Sequence, residues 1–324
     1  MDITSVFTLC GGIAFFLFGM HILSQSLETL AGGRLEAALR KLTSSRAAGL
    51  CAGAGITAAV QSSSAVTVML VGLADSGIVL PEQTVGVIMG SNIGTTFTAW
   101  LLGMSGIKSD NFFLSLLTPE SFAPIIALVG TALLMVCKSE RRRNIGLSML
   151  GFSVLMYGME FMKNAMAPLA QSDIFQRMLT SCGNPVVGVV FGAVFTGVIQ
   201  SSSASVGMLQ ALSMTGTVTL REAVPIIMGQ NIGTCATALL SSVGVGSGAK
   251  RVAVIHTAFN IIGTAFCMAV FYVLSLVLDL GFTDSAVSPV GIAAVHSVFN
   301  IMTTTILFPF SKPLVGLSRR IVPD

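Results

Sequence analysis

The sequence predicts an all-α polytopic membrane protein, an inverted-topology repeat with about seven crossings and two re-entrant helical hairpins. Three observations carry that prediction: a composition too apolar for water, nine apolar segments near spanning length, and one block of sequence that occurs twice. Of 324 residues, 53% are hydrophobic and 10% charged, against roughly 25% charged in a soluble domain. Mean hydropathy is +0.87, so the surface lacks the charge that solubility requires and lipid is the expected solvent. A net charge of +3, with basic residues scattered between apolar runs, argues against a nucleic-acid partner. The six cysteines, at 10, 51, 137, 182, 235 and 267, are isolated and read as small buried hydrophobes. The start carries Asp2 and no basic stretch, so the first apolar run is expected to stay as a helix.

A crossing helix needs about 20 apolar residues. Runs of that kind occupy 4–24, 47–74, 84–104, 122–137, 144–166, 184–215, 223–245, 252–278 and 288–310. The second and sixth are long, rich in Gly, Ala and Ser, and each is interrupted by Gln-Ser-Ser-Ser. Backbone leaves helical form at membrane depth only where protein or a watery cavity satisfies it, so both read as re-entrant hairpins, 47–74 and 184–215, with the tetrad at the turn. Charge placement gives a separate test. Arg34, Arg40, Lys41 and Arg46 mark one loop and Lys138, Arg141, Arg142 and Arg143 another, both expected to be cytoplasmic. Three apolar segments lie between them, which fits only if one returns to its own side. Continuing the count puts Lys250, Arg251, Arg319 and Arg320 inside and Asp279 and Asp284 outside, with Arg221 the one basic exception. The N-terminus is then outside and the C-terminus cytoplasmic. The layout is a first repeat over 1–137, a basic loop over 138–143, a second, inverted repeat with additional C-terminal crossings over 144–310, and a short tail over 311–324.

Sliding the chain by 139 residues aligns Gln61–Ser64 with Gln200–Ser203, and 57–101 then matches 196–240 at 22 of 45 positions without a gap. Asn92-Ile93-Gly94-Thr95 recurs as Asn231-Ile232-Gly233-Thr234, and Gly12 and Gly19 recur as Gly151 and Gly158. Three crossings separate equivalent points, and an odd number inverts the second copy. Inverted repeats with interrupted helices are the architecture of secondary transporters, whose site lies at the repeat interface. A second pattern, His-x-x-Phe-Asn-Ile, begins at His256 and again at His296. Standing at i and i+4 on one helix face, each histidine is expected to bond its own Asn260 or Asn300.

A turn at membrane depth exposes helix N-termini, which suit an anion, and freed carbonyls, which suit a hard cation. The hydroxyls of Ser62, Ser63, Ser64, Ser201, Ser202 and Ser203 can donate to one and accept from the other. Gln61 and Gln200 add amide donors for substrate oxygens. Asn92, Thr95, Asn231 and Thr234, in Gly-flanked stretches expected to unwind, add oxygen ligands for a cation. Packing is the competing role for serine in membrane helices, but a duplicated tetrad in register with a duplicated Asn-Ile-Gly-Thr favours a site. Glu160 and Lys163 are expected to reach the interface. No phosphate-loop motif, nucleophile elbow or zinc-protease motif is present, and an enzyme is not expected.

Two Gln-Ser-Ser-Ser motifs, each followed 31 positions later by Asn-Ile-Gly-Thr in a Met-Gly-x-Asn-Ile-Gly-Thr setting, resemble the sodium-phosphate cotransporter family, its type II branch and bacterial relatives. The resemblance implies sodium-coupled transport of inorganic phosphate across the plasma or bacterial inner membrane. The alternatives are another small oxyanion or phosphate export on the same fold. It implies that Ser62–Ser64 and Ser201–Ser203 take part in phosphate and sodium binding, with Ser64 and Ser203 among the sodium ligands. Sodium is then a co-transported ion, no organic cofactor is needed, and the assembly is a homodimer. Many bacterial members add a soluble helical domain resembling a phosphate-regulatory protein; here the sequence ends at Asp324, so regulation through such a domain is expected to be absent or to come from another chain.

Overall fold

The computed structural model describes residues 3–33, 35, 37–39, 45–104, 119–168, 172–278 and 281–323. Arg34, Arg40 and Lys41 of the first basic loop, and Asp279, lie outside the described residues. Among the described residues there is no strand, only an isolated bridge between Thr219 and Ala286.

The first half comprises α1 (Ile3–Ala31), α2 (Arg46–Val60), α3 (Ser63–Asp75), α4 (Pro81–Gly103), α5 (Pro119–Val136) and α6 (Glu140–Met166). The second comprises α7 (Asp173–Ser181), α8 (Pro185–Ile199), α9 (Ser202–Ser213), α10 (Leu220–Gly233), α11 (Cys235–Ser241), α12 (Ser247–Leu278), α13 (Pro289–Leu307) and α14 (Ser311–Ile321). Proline opens α4, α8 and α13, where a missing N–H costs nothing. Gly77 and Gly216, at equivalent positions of the repeat, take φ of 70° and 77° in the turns after α3 and α9, a conformation that glycine adopts without steric cost.

Among the described residues, six helical spans are long and apolar enough to cross a membrane: α1, α4, α6, α10 with α11, α12 and α13. The seventh expected crossing forms the shorter α5, of 18 residues. Apolar side chains face outwards in stripes, as with Val186, Val190, Val194 and Val198 on α8, the surface that lipid rather than water covers. The tail expected over 311–324 instead contains α14, with Ser311, Leu314, Val315 and Ser318 buried on one face and Arg319 and Arg320 on the other.

Backbone proximity fixes the arrangement. α1 and α6 cross antiparallel through glycine: a Cβ on Gly12 would meet the Met162 nitrogen at 2.8 Å, and one on Gly151 the Leu23 nitrogen at 2.7 Å and the Gly19 oxygen at 2.9 Å. α2 runs parallel to α4, with Arg46 at Gly86, Leu50 at Gly90 and Ala54 at Gly94; α8 runs parallel to α10, with Val189 at Gly229 and Ala193 at Gly233. Glycine every fourth residue of α4 is what permits that approach. α4 ends beside the start of α13, where Gln210 Nε2 donates to the Ala99 and Pro289 carbonyls. The start of α10 is held at the same end by Leu220 N–Ser285 O and Val287 N–Val218 O. α4 and α10 therefore run in opposite directions.

Charge marks the two ends. Arg46, Glu82, Lys312 and Arg319 border one groove, with Arg319 Nη2 paired to Glu82, and Arg251 Nε donates to Val322 O nearby. Arg221, the basic exception, lies at the opposite end in an ion pair with Asp284 at 2.6 Å. The two halves differ in one respect. α9 packs on α6, its Ala204 and Ala211 joining Met156 and Met159 in one core cluster. α3, the equivalent of α9, has no comparable packing on α1 among the described residues.

Candidate functional site

α2 ends at Gln61 and α8 at Gln200, the only non-glycine residues with positive φ, 61° and 59°, among the described residues. A left-handed residue ends each helix, and its N–H bonds back to Thr57 or Thr196. Ser62 and Ser201 then adopt extended backbone and cap the next helix, their hydroxyls accepting from the Ala65 and Ala204 nitrogens at 3.1 and 3.2 Å. Each tetrad is thus a helix end, a cap and a helix start in sequence. Ser62 and Ser201 use their hydroxyls structurally, a division of labour the sequence reading did not contain. We expect Ser62→Ala and Ser201→Ala each to cost about 1 kcal/mol of stability, a fall of roughly 2 °C in a melt followed by fluorescence.

Both turns line one cavity of about 550 Å³, which Gln61, Ser62, Ser63, Ser64, Gln200, Ser201, Ser202 and Ser203 all border. Ser63 and Ser202 begin α3 and α9, so the N-termini of two helices open onto the cavity with their unbonded N–H groups and partial positive charge. Thr57 donates to Ser91 Oγ at 2.9 Å, and Thr196 to Ser205 Oγ at 2.7 Å, tying each turn to its surroundings. Gln200 is exposed, but Gln61 is buried. The Gln61 amide nitrogen donates to Ala58 O at 2.6 Å, and its Oε1 has no partner among the described residues. One amide N–H of Gln61 is thus engaged within its own turn, and its Oε1 is an acceptor of the kind that suits a cation.

Asn92, Thr95, Asn231 and Thr234 do not line this cavity. α4 continues unbroken through Asn92 and Thr95, which donate within the helix to Ile88 O and Ser91 O, both at 3.0 Å. Asn231 and Thr234 likewise donate to Ile227 O and Gln230 O, and only here does the helix break, at Thr234. The expected unwinding of α4 is corrected: Gly90 and Gly94 admit the backbone of α2 instead. The histidine pairs are corrected too. Asn260 and Asn300 donate to the backbone carbonyls of His256 and His296 at 3.1 and 2.9 Å, while His256 Nδ1 and both imidazole nitrogens of His296 are buried without a partner among the described residues. Glu160 and Lys163 form an ion pair at 3.2 Å on α6.

Sequence reasoning missed the contribution of α1. Leu17, Met20, His21, Ser24, Gln25 and Glu28 of α1 complete the cavity, spaced at three and four residues along one helix face. That spacing is visible in the sequence, but the polar residues there read as the end of an apolar segment.

The chain is all-helical among the described residues and carries several helices of membrane-spanning length, and its two duplicated tetrads line one cavity, a combination that secondary transporters display. The profile of the Na+/Pi-cotransporter family matches it twice, over residues 15–164 and 154–290, and the chain belongs to that family, whose members are transporters. The chain is 27% identical over 318 residues to the uncharacterized protein YqeW of Bacillus subtilis, covering 96% of each. It is 24% identical over 318 residues to the proposed inorganic phosphate export protein YjbB of Salmonella typhimurium, covering 98% of this chain and 55% of that one. Over 148 residues it is 32% identical to sodium-dependent phosphate transport protein 2B of Pongo abelii, covering 43% of this chain and 21% of that one. No solved structure matches the chain significantly.

Proposed function

We propose that this protein is a sodium-coupled secondary transporter of inorganic phosphate in the cell membrane. The observation that carries this reading is the meeting of two tetrads, 139 residues apart, on one cavity. Phosphate binds between the starts of α3 and α9, where Ser63, Ser64, Ser202, Ser203 and Gln200 supply donors beside the two helix dipoles. Sodium binds through acceptor oxygens, those of Ser64, Ser203 and Gln61 at the turns and those of Asn92, Thr95, Asn231 and Thr234 in the supporting helices.

An inverted repeat supports this reading. α1 and α6, equivalent in sequence, cross so that Gly12 lies by Gly158 and Gly19 by Gly151, each glycine touching its partner's counterpart. The opposite directions of α4 and α10 agree with inversion. The parallel courses of α2 with α4 and α8 with α10, each pair with a short return helix between, support two re-entrant hairpins. The basic groove of Arg46, Lys312 and Arg319 is the cytoplasmic end by the positive-inside rule. That leaves the N-terminus outside and the C-terminus inside, and the assembly we propose is a homodimer.

Coupling has an energetic reason. Moving a dianion inward against 100 mV costs about 4.6 kcal/mol. One sodium ion entering under that potential and a tenfold gradient supplies about 3.7 kcal/mol, so two are needed. We expect radiolabelled phosphate to accumulate in proteoliposomes under an inward sodium gradient and not when choline replaces sodium at fixed voltage and pH. Equal uptake in choline would remove sodium from the mechanism.

Phosphate export is the second reading, favoured by the YjbB proteins, which match 98–99% of this chain. Loss of preloaded phosphate into medium of high phosphate and low sodium would favour it.

A further inference from the structure

The two tetrads are chemically neutral, yet the proposed cargo is a multiply charged anion. α1 lines the same cavity with its stripe from Leu17 to Glu28. Of the sixteen residues lining the cavity, His21 is the one able to carry a positive charge and Glu28 the one carboxylate. His21 is exposed, and among the described residues its imidazole has no hydrogen-bond partner. Glu28, two turns further along the same face, is half-buried and interacts electrostatically with it.

The repeat supplies a comparison within the molecule. Shifted by 139, His21, Ser24 and Gln25 fall on Glu160, Lys163 and Asn164. There the polar groups satisfy each other: Lys163 pairs with Glu160 at 3.2 Å, and Asn164 Nδ2 donates to Glu160 Oε1 at 3.2 Å. The counterpart of the histidine is an acid in a closed network, so nothing in the repeat demands a base at position 21. Its place on the cavity wall does suit an anion.

Resting on the transport reading, we propose that His21 is a specificity residue of the cavity: its imidazolium grips a doubly negative oxyanion held at the serine turns. Imidazole is the side chain whose charge changes between pH 5 and 8, and a charge-assisted bond to an oxyanion is lost with the proton. The turns, α2, α3, α8 and α9 bring no titratable side chain to the cavity, and Glu28 is the one such neighbour on α1. On α6, which packs against α1, Glu160 and Lys163 are engaged with each other at the far end of the crossing.

The test is the KM for phosphate from pH 6 to 8.5 in proteoliposomes at fixed sodium, for the wild type, His21→Gln and His21→Lys, each first shown to be monodisperse. We expect wild-type KM to climb on the alkaline side. His21→Gln should raise KM about tenfold at neutral pH, equivalent to about 1.4 kcal/mol, and remove the alkaline climb. His21→Lys, charged throughout, should keep a low KM to pH 8.5. Wild-type uptake accompanied by a His21→Gln variant of unchanged KM at every pH, or by a His21→Lys variant that still climbs, overturns the assignment alone. No phosphate uptake by the wild type overturns the transport reading, and the assignment with it.

Discussion

A chain carrying Ser63→Ala and Ser202→Ala together should lose phosphate uptake by at least about a hundredfold, while its melting profile stays close to that of the wild type. Each serine is the first residue of a helix that starts on the cavity, and each is buried. Neither hydroxyl is the cap, since Ser62 and Ser201 perform that task, so the helices keep their starts. A hydrogen bond to a charged group is worth about 1.5–3 kcal/mol, and losing one at each turn gives about 3–6 kcal/mol, or two to four decades. Initial rates in proteoliposomes across a wide phosphate range would measure it. A double variant with the wild-type rate would remove the serine turns from the site.

The second large effect concerns folding. Gly90→Leu or Gly229→Leu should yield no monodisperse protein after membrane extraction. A Cβ at Gly90 would lie 2.8 Å from the Leu50 carbonyl carbon and 2.9 Å from the Ala54 nitrogen; at Gly229 it would lie 2.8 Å from the Val189 carbonyl carbon. These neighbours are backbone, so no rotamer change relieves the clash, and the loss should reach at least about 3 kcal/mol. The control is Gly55→Leu, in the same α2 but with open space at its Cβ position, which should leave the elution profile intact. Equal recovery of the Gly90 and Gly55 variants would contradict the packing described.

These two predictions divide what was legible in the sequence from what was not. Apolar runs are set by composition alone, and the segments expected at 84–104, 144–166 and 252–278 became α4, α6 and α12 with limits shifted by a few residues. The tetrads were legible because four polar residues in an apolar run have few structural explanations. The glycines of Asn-Ile-Gly-Thr were misread because a glycine that loosens a helix and one that admits a neighbour look identical until the neighbour is known. The same holds for Asn260 and Asn300, whose amides reached a backbone carbonyl where a side-chain partner was expected. α14 escaped notice because its polar and apolar faces cancel in a running average. The α1 wall escaped for a related reason: His21, Ser24, Gln25 and Glu28 share a face only once the helix is known to continue to Ala31.

α9 rests on α6, whereas among the described residues α3 has no comparable packing on α1. On the proposed inverted relation, two stretches of common ancestry occupy two unlike environments. Exchanging those environments would give a second arrangement built from near-equivalent contacts, with the cavity facing the other end of the molecule. Two such arrangements would lie close in free energy by construction, because neither half holds a monopoly on the sealed position. Ions and cargo that bind the turns then need only a modest difference in affinity to tip the balance, and the unmatched residues of the two walls, His21 against Glu160 and Ser24 against Lys163, are where that difference would originate.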